Sequence, residues 1–278
     1  MVMRTFKILL AVALLFGTGT AHLLHAQSFK FGFLTDIHIH SDSTLMAVKK
    51  RLDKLPKNLD FIMTGGDNVD IDYLKQEDIH RGEERLKQLK SILDSANKPY
   101  HVAIGNHDRL PGALRNGIND FQLFESVFGK TYYAFEHKGW KFIVLNSVEV
   151  ENNQYAVKAP QVEWLKNVLR ETPADQPIVI VSHVPFLSVY YPVLEGRYTS
   201  ADTFSNQKQV FDLFENHNLK LVLQGHMHLY EEIKVKGVQF ITAGAVSGNW
   251  WNGAFHGTEP GHLEIEVSEN SFTWNYIK

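Results

Sequence analysis

The sequence predicts a mixed-sheet α/β domain, and three observations carry that expectation. Strand-like and helix-like segments alternate from residue 29 onward. Hairpin signals at Lys138-Gly139 and Lys236-Gly237 interrupt that alternation in the second half. Five of the strand-like segments end in short polar clusters. Helical crossovers imply parallel pairing and tight turns imply antiparallel pairing, so the sheets should be mixed.

Each element has a local reason. Residues 30–35 read as a buried strand with Asp36 at its end. Leu45, Val48, Leu52 and Leu55 follow at helical spacing, with Ser43 as the expected N-cap. Residues 59–63 form a second strand running into Thr64-Gly65-Gly66-Asp67. Leu86, Leu89, Ile92 and Leu93 mark a helix closed before Pro99, and 100–104 is a strand ending in Gly105-Asn106-His107-Asp108. Segments 132–137 and 140–146 flank the first hairpin turn. A helix at 160–170 carries Val162, Leu165, Val168 and Leu169 on one side. Strand 177–181 ends at Ser182-His183, a short helix follows at 207–214, and strand 219–223 ends at Gln224-Gly225-His226. Hairpin 230–242 and a last pair, 262–267 with 272–277, complete the sheets. Residues 27–278 thus read as one domain.

The first 26 residues read differently. Arg4 and Lys7 precede an apolar run from Ile8 to Phe16, and small residues lead to Ala26-Gln27. That is the layout of a secretory signal peptide cleaved after Ala26. Nine apolar residues fall well short of the roughly 20 that span a bilayer. Cleavage leaves 26 basic against 31 acidic residues, a net charge of −5, in an exported, periplasmic or secreted protein with no membrane span.

Composition narrows the chemistry. The chain is 44% hydrophobic and 21% charged, which excludes disordered, collagen-like and multi-span membrane classes. Its net charge of −3 gives no electrostatic footprint for nucleic acid. With no Cys there are no disulfides, thiolate metal sites or catalytic thiols. The 14 His are the unusual entry in this composition, so a metal site would be built from imidazole, carboxylate and amide donors.

Those donors lie at the strand ends: Asp36-Ile37-His38, Gly66-Asp67-Asn68-Val69-Asp70, Gly105-Asn106-His107-Asp108, His183, and Gly225-His226-Met227-His228. Ligands of open α/β sheets bind beyond the carboxyl ends of the strands. Hard oxygen donors mixed with imidazole suit Zn, Mn, Fe or Co. The glycines before Asp67, Asn106 and His226 fit turns that present a side chain without crowding.

In this order the clusters resemble the calcineurin-like metallophosphoesterases, whose relatives include purple acid phosphatases and the cyclic-nucleotide and glycerophosphodiester phosphodiesterases. The resemblance spans 31–228 and implies a four-layer α/β/β/α sandwich of two mixed sheets flanked by helices. It also implies two metal ions: Asp36, His38 and His228 on one, Asn106, His183 and His226 on the other, and Asp67 bridging. His107, oriented by Asp70, is implied as the proton donor to the leaving group. Two cations about 3.5–4 Å apart clamp the attacking and leaving oxygens of an in-line displacement, and a water between them ionises near neutral pH. Hydrolysis of a small phosphodiester or phosphomonoester by that hydroxide is the implied reaction. No Tyr follows Asp36 in a ligand position, so a purple iron–tyrosinate site is not expected.

Two segments carry aromatics without periodicity. Residues 186–205 include Tyr190, Tyr191, Arg197 and Tyr198, and 243–261 include Trp250 and Trp251. They read either as loop anchors packed on the sheet edges or as a substrate wall. In the second reading Tyr191, Trp250 and Trp251 stack on a substrate and Arg197 contacts phosphate oxygens. Two rival readings explain less. An amidohydrolase-like barrel would use His38-Ile39-His40 but leaves the three Gly-led clusters without a role. A non-catalytic scaffold of the same fold would be expected to have lost ligands, and none is missing.

Overall fold

The computed structural model describes residues 28–110 and 119–278; the expected signal peptide lies outside them. Its frame is two mixed sheets. The first has strand order β13-β12-β1-β2-β3, with β1 Phe29–Leu34, β2 Phe61–Gly65, β3 Tyr100–Ala103, β12 His262–Val267 and β13 Phe272–Ile277. The second has order β10-β11-β9-β8-β5-β4, with β4 Tyr133–His137, β5 Trp140–Leu145, β8 Pro177–Ser182, β9 Asn218–Gln224, β10 Glu231–Val235 and β11 Val238–Thr242. A short hairpin, β6 Glu149–Glu151 with β7 Gln154–Ala156, stands apart.

Period-two alternation builds the layers. Phe31 and Phe33 of β1, Phe61 and Met63 of β2, Phe142 and Val144 of β5, Val179 and Val181 of β8, and Leu221 and Leu223 of β9 form one buried cluster. Their alternates, such as Leu34, Ile62, Ile143, Ile180 and Val222, belong to a second cluster with helix residues Val48, Leu86, Leu89 and Leu165. The first cluster is the layer between the sheets and the second lies under the helices. Because both faces are buried, the strands read as nearly continuous apolar runs. The helices are α1 Asp42–Leu52, α2 Ile79–Ser95, α3 Gln122–Phe128, α4 Ala159–Glu171 and α5 Gln207–Asp212.

The expected mixed α/β architecture is present, with corrections of detail. Ser41, not Ser43, caps α1: its hydroxyl accepts from the Thr44 amide while the Thr44 hydroxyl accepts from the Ser41 amide. The last strand pair extends only the first sheet, through β12 against β1. The β6–β7 hairpin and α3 carried no clear periodic signal in the sequence. Lys138-Gly139 and Lys236-Gly237 do turn their hairpins, all four with positive φ as a tight hairpin turn needs.

Candidate metal centre

β1, β2 and β3 run parallel in one sheet, as do β8 and β9 in the other. All five polar clusters therefore leave the same edge of the sandwich. Backbone bonds lace the exits: Asp36 N donates to Gly66 O at 3.0 Å, and His38 N to Asp67 O at 2.9 Å. The sheets cross-link where His183 Nδ1 donates to Gly65 O at 2.9 Å and His226 N donates to Asp36 Oδ1 at 3.0 Å.

Glycine permits this convergence. A Cβ on Gly105 would lie 1.9 Å from Asp67 N, and one on Gly225 would lie 2.1 Å from Thr35 Oγ1. Asp36, His38, Asp67, His226 and His228 all hold positive φ, between 49° and 73°. Such a conformation costs a non-glycine residue roughly 1–2 kcal/mol. Five together mark a place where the fold holds side chains against local preference, as functional sites often do. Asp108, which closes the Gly105-Asn106-His107-Asp108 cluster and reads as a turn residue or a supporting acceptor rather than a ligand, is the clamp. It accepts from Asn68 N, Val69 N and Gly105 N and from Asn68 Nδ2, all at 2.8–2.9 Å. Burial and the nearby Asp67 charge push Asp108 up to about 7 against the pull of those donors.

Ligand-type atoms of Asp36, His38 and His228 lie within 4.8 Å of one another, as do those of Asp67, His183 and His226. Asp67 sits between the two groups, its Oδ2 3.1 Å from His183 Nε2 and 3.7 Å from His38 Nε2. Asn106 Oδ1 is 3.1 Å from His183 Nε2.

The hydrogen-bond partners of the rings show that this donor set fits cations. His38 Nδ1 donates to Asp70 Oδ1 at 2.6 Å and His228 Nδ1 to Gly248 O at 2.5 Å. In the neutral rings both Nε2 atoms are then bare acceptors, yet they face each other at 3.1 Å. His183 likewise spends its Nδ1 proton on Gly65 O and turns Nε2 toward two oxygens. Buried lone pairs that converge on one another need a cation among them. Without one, protons take that role. Burial opposes charge on His183, but Asp67 overcomes it and lifts the ring to about 9. Burial also opposes charge on Asp67, but the neighbouring imidazoles hold its carboxyl well below the usual range.

The structure re-pairs one expected contact. Asp70 does not orient His107; it bonds His38 and lies 3.7 Å from exposed His40. The residue on His107 Nδ1 is Asp72, at 2.8 Å. Asp70 and Asp72 leave the same turn two residues apart, and the Ile71 amide is tied to His107 O, which sets Asp72 beside the ring. Tyr73, 71% exposed, lies over His107 with ring centres 5.2 Å apart.

A cavity of about 250 Å³ opens beside these groups, lined by Asp67, His107, His226 and His228 together with Tyr190, Tyr191, Trp250 and Phe255. Glu195 and Asp202 complete it. Trp250 stacks on His228 at 4.2 Å. Two expected wall residues do not line it. Arg197 is paired with Glu195 at 2.5 Å and lies over the Tyr191 ring, 4.3 Å from its centre. Trp251 is a loop anchor, its Nε1 donating to His38 O at 3.0 Å. Asp72, Glu195, Asp202 and Phe255 carry no periodic signal. Only their nearness to the aromatics and to the Gly-Asp cluster was available.

An α/β sandwich that gathers carboxylate, amide and imidazole acceptors beyond its strand ends defines a metal-dependent hydrolase. The model of the calcineurin-like phosphoesterases matches residues 29–230, and the chain belongs to that family. Its activity class is therefore hydrolysis of phosphoric esters, and the family binds two metal ions. The chain is 26% identical over 207 residues to a 3',5'-cyclic-nucleotide phosphodiesterase of Nostoc sp., covering 70% of each. It is 22% identical over 214 residues to a probable cyclic nucleotide phosphodiesterase of Vesicomyosocius okutanii, covering 75% of this chain and 82% of that one. In fold it is similar to a dimetal phosphatase from Danio rerio, with TM-score 0.59, 14% identity and coverage of 90% and 99%. It is also similar to a purple acid phosphatase from yellow lupin seeds, with TM-score 0.64, 14% identity and coverage of 91% of this chain and 52% of that one. Among the described residues no helix is long and apolar enough to cross a membrane.

Proposed function

We propose that the protein is an exported dinuclear-metal phosphodiesterase acting on small soluble or headgroup-sized esters. The observation that carries this reading is the set of facing acceptors, His38 Nε2 against His228 Nε2 and His183 Nε2 against Asp67 and Asn106, opening on a cavity that His107 also lines. In this reading Asp36, His38 and His228 hold one ion, Asn106, His183 and His226 the other, and Asp67 lies between. Fe, Mn, Zn and Co all suit such donors. When bound, the two ions supply an ionised water at neutral pH and hold the phosphate oxygens.

The chain's own groups do the rest. Asp70 and the Gly248 carbonyl hold the His38 and His228 rings with Nε2 bare, the form that ligates. Without ions, burial opposes protonation of His107, yet Asp67 and Asp72 push it up to about 9; with cations offsetting Asp67, the hydrogen bond to Asp72 is what favours the protonated ring. With Nδ1 committed to Asp72, its Nε2 carries a proton toward the cavity, where an ester oxygen departing from phosphorus can take it. Trp250, packed on His228, closes one side against water. The aromatic wall favours a diester over a monoester, because a second substituent has somewhere to lie.

The test is a substrate panel on protein with measured metal content. Bis(p-nitrophenyl) phosphate should be hydrolysed faster than p-nitrophenyl phosphate, activity should vanish on chelation and return with Mn, and an amide substrate should remain intact. Monoester preference would refute the diester reading, and chelator-resistant turnover would refute the metal assignment. Export predicts a mature protein beginning at Gln27; recovery of a chain beginning at Met1 from the cell interior would refute it.

A further inference from the structure

We infer that the outer wall of this cavity is a cation subsite, and that the preferred phosphodiester carries an ammonium group on one substituent. The inference rests on the phosphodiesterase reading and deepens it. Four aromatic rings share the lining with the metal ligands, Tyr190, Tyr191, Trp250 and Phe255, and two of them, Trp250 and Phe255, pack against His228. Tyr190 and Phe255 lie nearly parallel, 10° apart with centres at 6.4 Å, and Trp250 meets Phe255 edge-on at 5.8 Å.

Charge is what narrows the ligand. Two carboxylates, Asp202 and Glu195, line the same cavity, and no Lys or Arg lines it among the described residues. Glu195 is partly balanced by Arg197, which sits outside on the Tyr191 ring. Asp202 accepts from Tyr191 OH and has His226 Nε2 3.5 Å away, and Arg197 acts on it only from outside the cavity. A second phosphate or a carboxylate on the substrate would face both acids. A neutral apolar arm would cover their charge without pairing it. An alkylammonium arm satisfies both features, because π faces and carboxylates attract the same charge. Arg197 over Tyr191 shows a cation already resting on one of these rings. The volume of about 250 Å³ suits a short aminoethyl or trimethylammonioethyl arm rather than a dinucleotide.

The reaction is ordinary hydrolysis. A water oxygen bonds to phosphorus, one P–O ester bond breaks, the departing oxygen keeps the bond pair and a proton, and the charged arm stays on the phosphate. Such an arm occurs on soluble glycerol phosphodiesters and on lipid headgroups.

The test compares p-nitrophenyl phosphocholine with p-nitrophenyl 3,3-dimethylbutyl phosphate, in which carbon replaces the charged nitrogen at equal shape. The metal-loaded protein should show a kcat/KM ratio of about tenfold in favour of the charged ester. A ratio below about threefold overturns the subsite. Glu195→Gln and Asp202→Asn should each bring the ratio toward one, and a wild-type ratio in both overturns the assignment to this wall. If Asp202→Asn stops turnover through His226, Glu195→Gln carries the comparison. Bis(p-nitrophenyl) phosphate separates the two levels. Hydrolysis of it with no charge preference refutes the subsite alone, and failure to hydrolyse any diester refutes the phosphodiesterase reading with it. Once the preference is measured, glycerophosphocholine and phosphatidylcholine vesicles distinguish a soluble source from a lipid one.

Discussion

Replacing Gly105 with alanine tests the claim that close approach of two turns, rather than any ligand alone, builds the metal centre. The new Cβ would lie 1.9 Å from Asp67 N and 2.2 Å from Asp67 Oδ1, whereas real Cβ contacts essentially never fall below 3.0 Å. The turns after β2 and β3 must therefore part by about 1.1 Å. The bonds that cross that gap include three from backbone amides to carboxylates: His107 N to Asp67 Oδ1 at 2.8 Å, and Asn68 N and Val69 N to Asp108 Oδ1 at 2.9 Å. Stretched by that amount they reach almost 4 Å, beyond useful hydrogen-bond range. Bonds to charged acceptors contribute about 1.5–3 kcal/mol each, so partial loss of three costs about 3–5 kcal/mol. For a chain of this size that lowers Tm by roughly 10 °C. Metal binding should suffer more, because ligand distances tolerate only about ±0.2 Å. Calorimetry and elemental metal analysis of Gly105→Ala provide the assay. Gly32→Ala is the control, since its Cβ meets only the tip of Leu59 at 3.3 Å. A Gly105→Ala protein with two metal equivalents and a wild-type Tm would refute the reasoning.

Asp72→Asn should keep both metals and lose kcat by about 100-fold on esters with poor leaving groups, with little effect when p-nitrophenolate leaves. Asp70→Asn should instead weaken metal binding about 10–100-fold through His38; the reverse pattern would return His107 to Asp70. Trp250→Ala should raise KM at unchanged metal content, whereas Trp251→Ala should lower Tm by removing the bond to His38 O. Titration of stability reads two buried histidines outside the donor set. Burial lowers both His101 and His262 to about 4. The unfolded chain therefore takes up protons first, and their contribution to stability falls between about pH 6.5 and pH 4 and is level above, while His107 and His183, lifted to about 9, add a separate loss as pH rises toward that value. The loss is about 3 kcal/mol for His262 and less for half-buried His101. Denaturant melts of chelated protein should show that slope, and it should flatten in His262→Gln.

The layers were legible because the burial pattern is local. Phe31 and Phe33 alternate with Gly32 and Leu34, so each strand carries its two faces in its own residues. The donors were legible because each follows a strand within a few residues, often behind a glycine, as in Gly66-Asp67, Gly105-Asn106 and Gly225-His226. Spacing along one turn could not decide which carboxylate serves which imidazole. Asp70 and Asp72 are chemically alike and two residues apart, and the backbone path that ties Ile71 to His107 O gives His107 to Asp72. Likewise Trp250 and Trp251 are neighbours, yet one faces the cavity and the other bonds the backbone of His38. By itself the sequence determined the fold class and the set of donor residues, since periodicity and strand-end position are properties of the chain. Only the tertiary structure decided pairing, acidity and the charge of the pocket wall, because these depend on distances between segments brought together by folding.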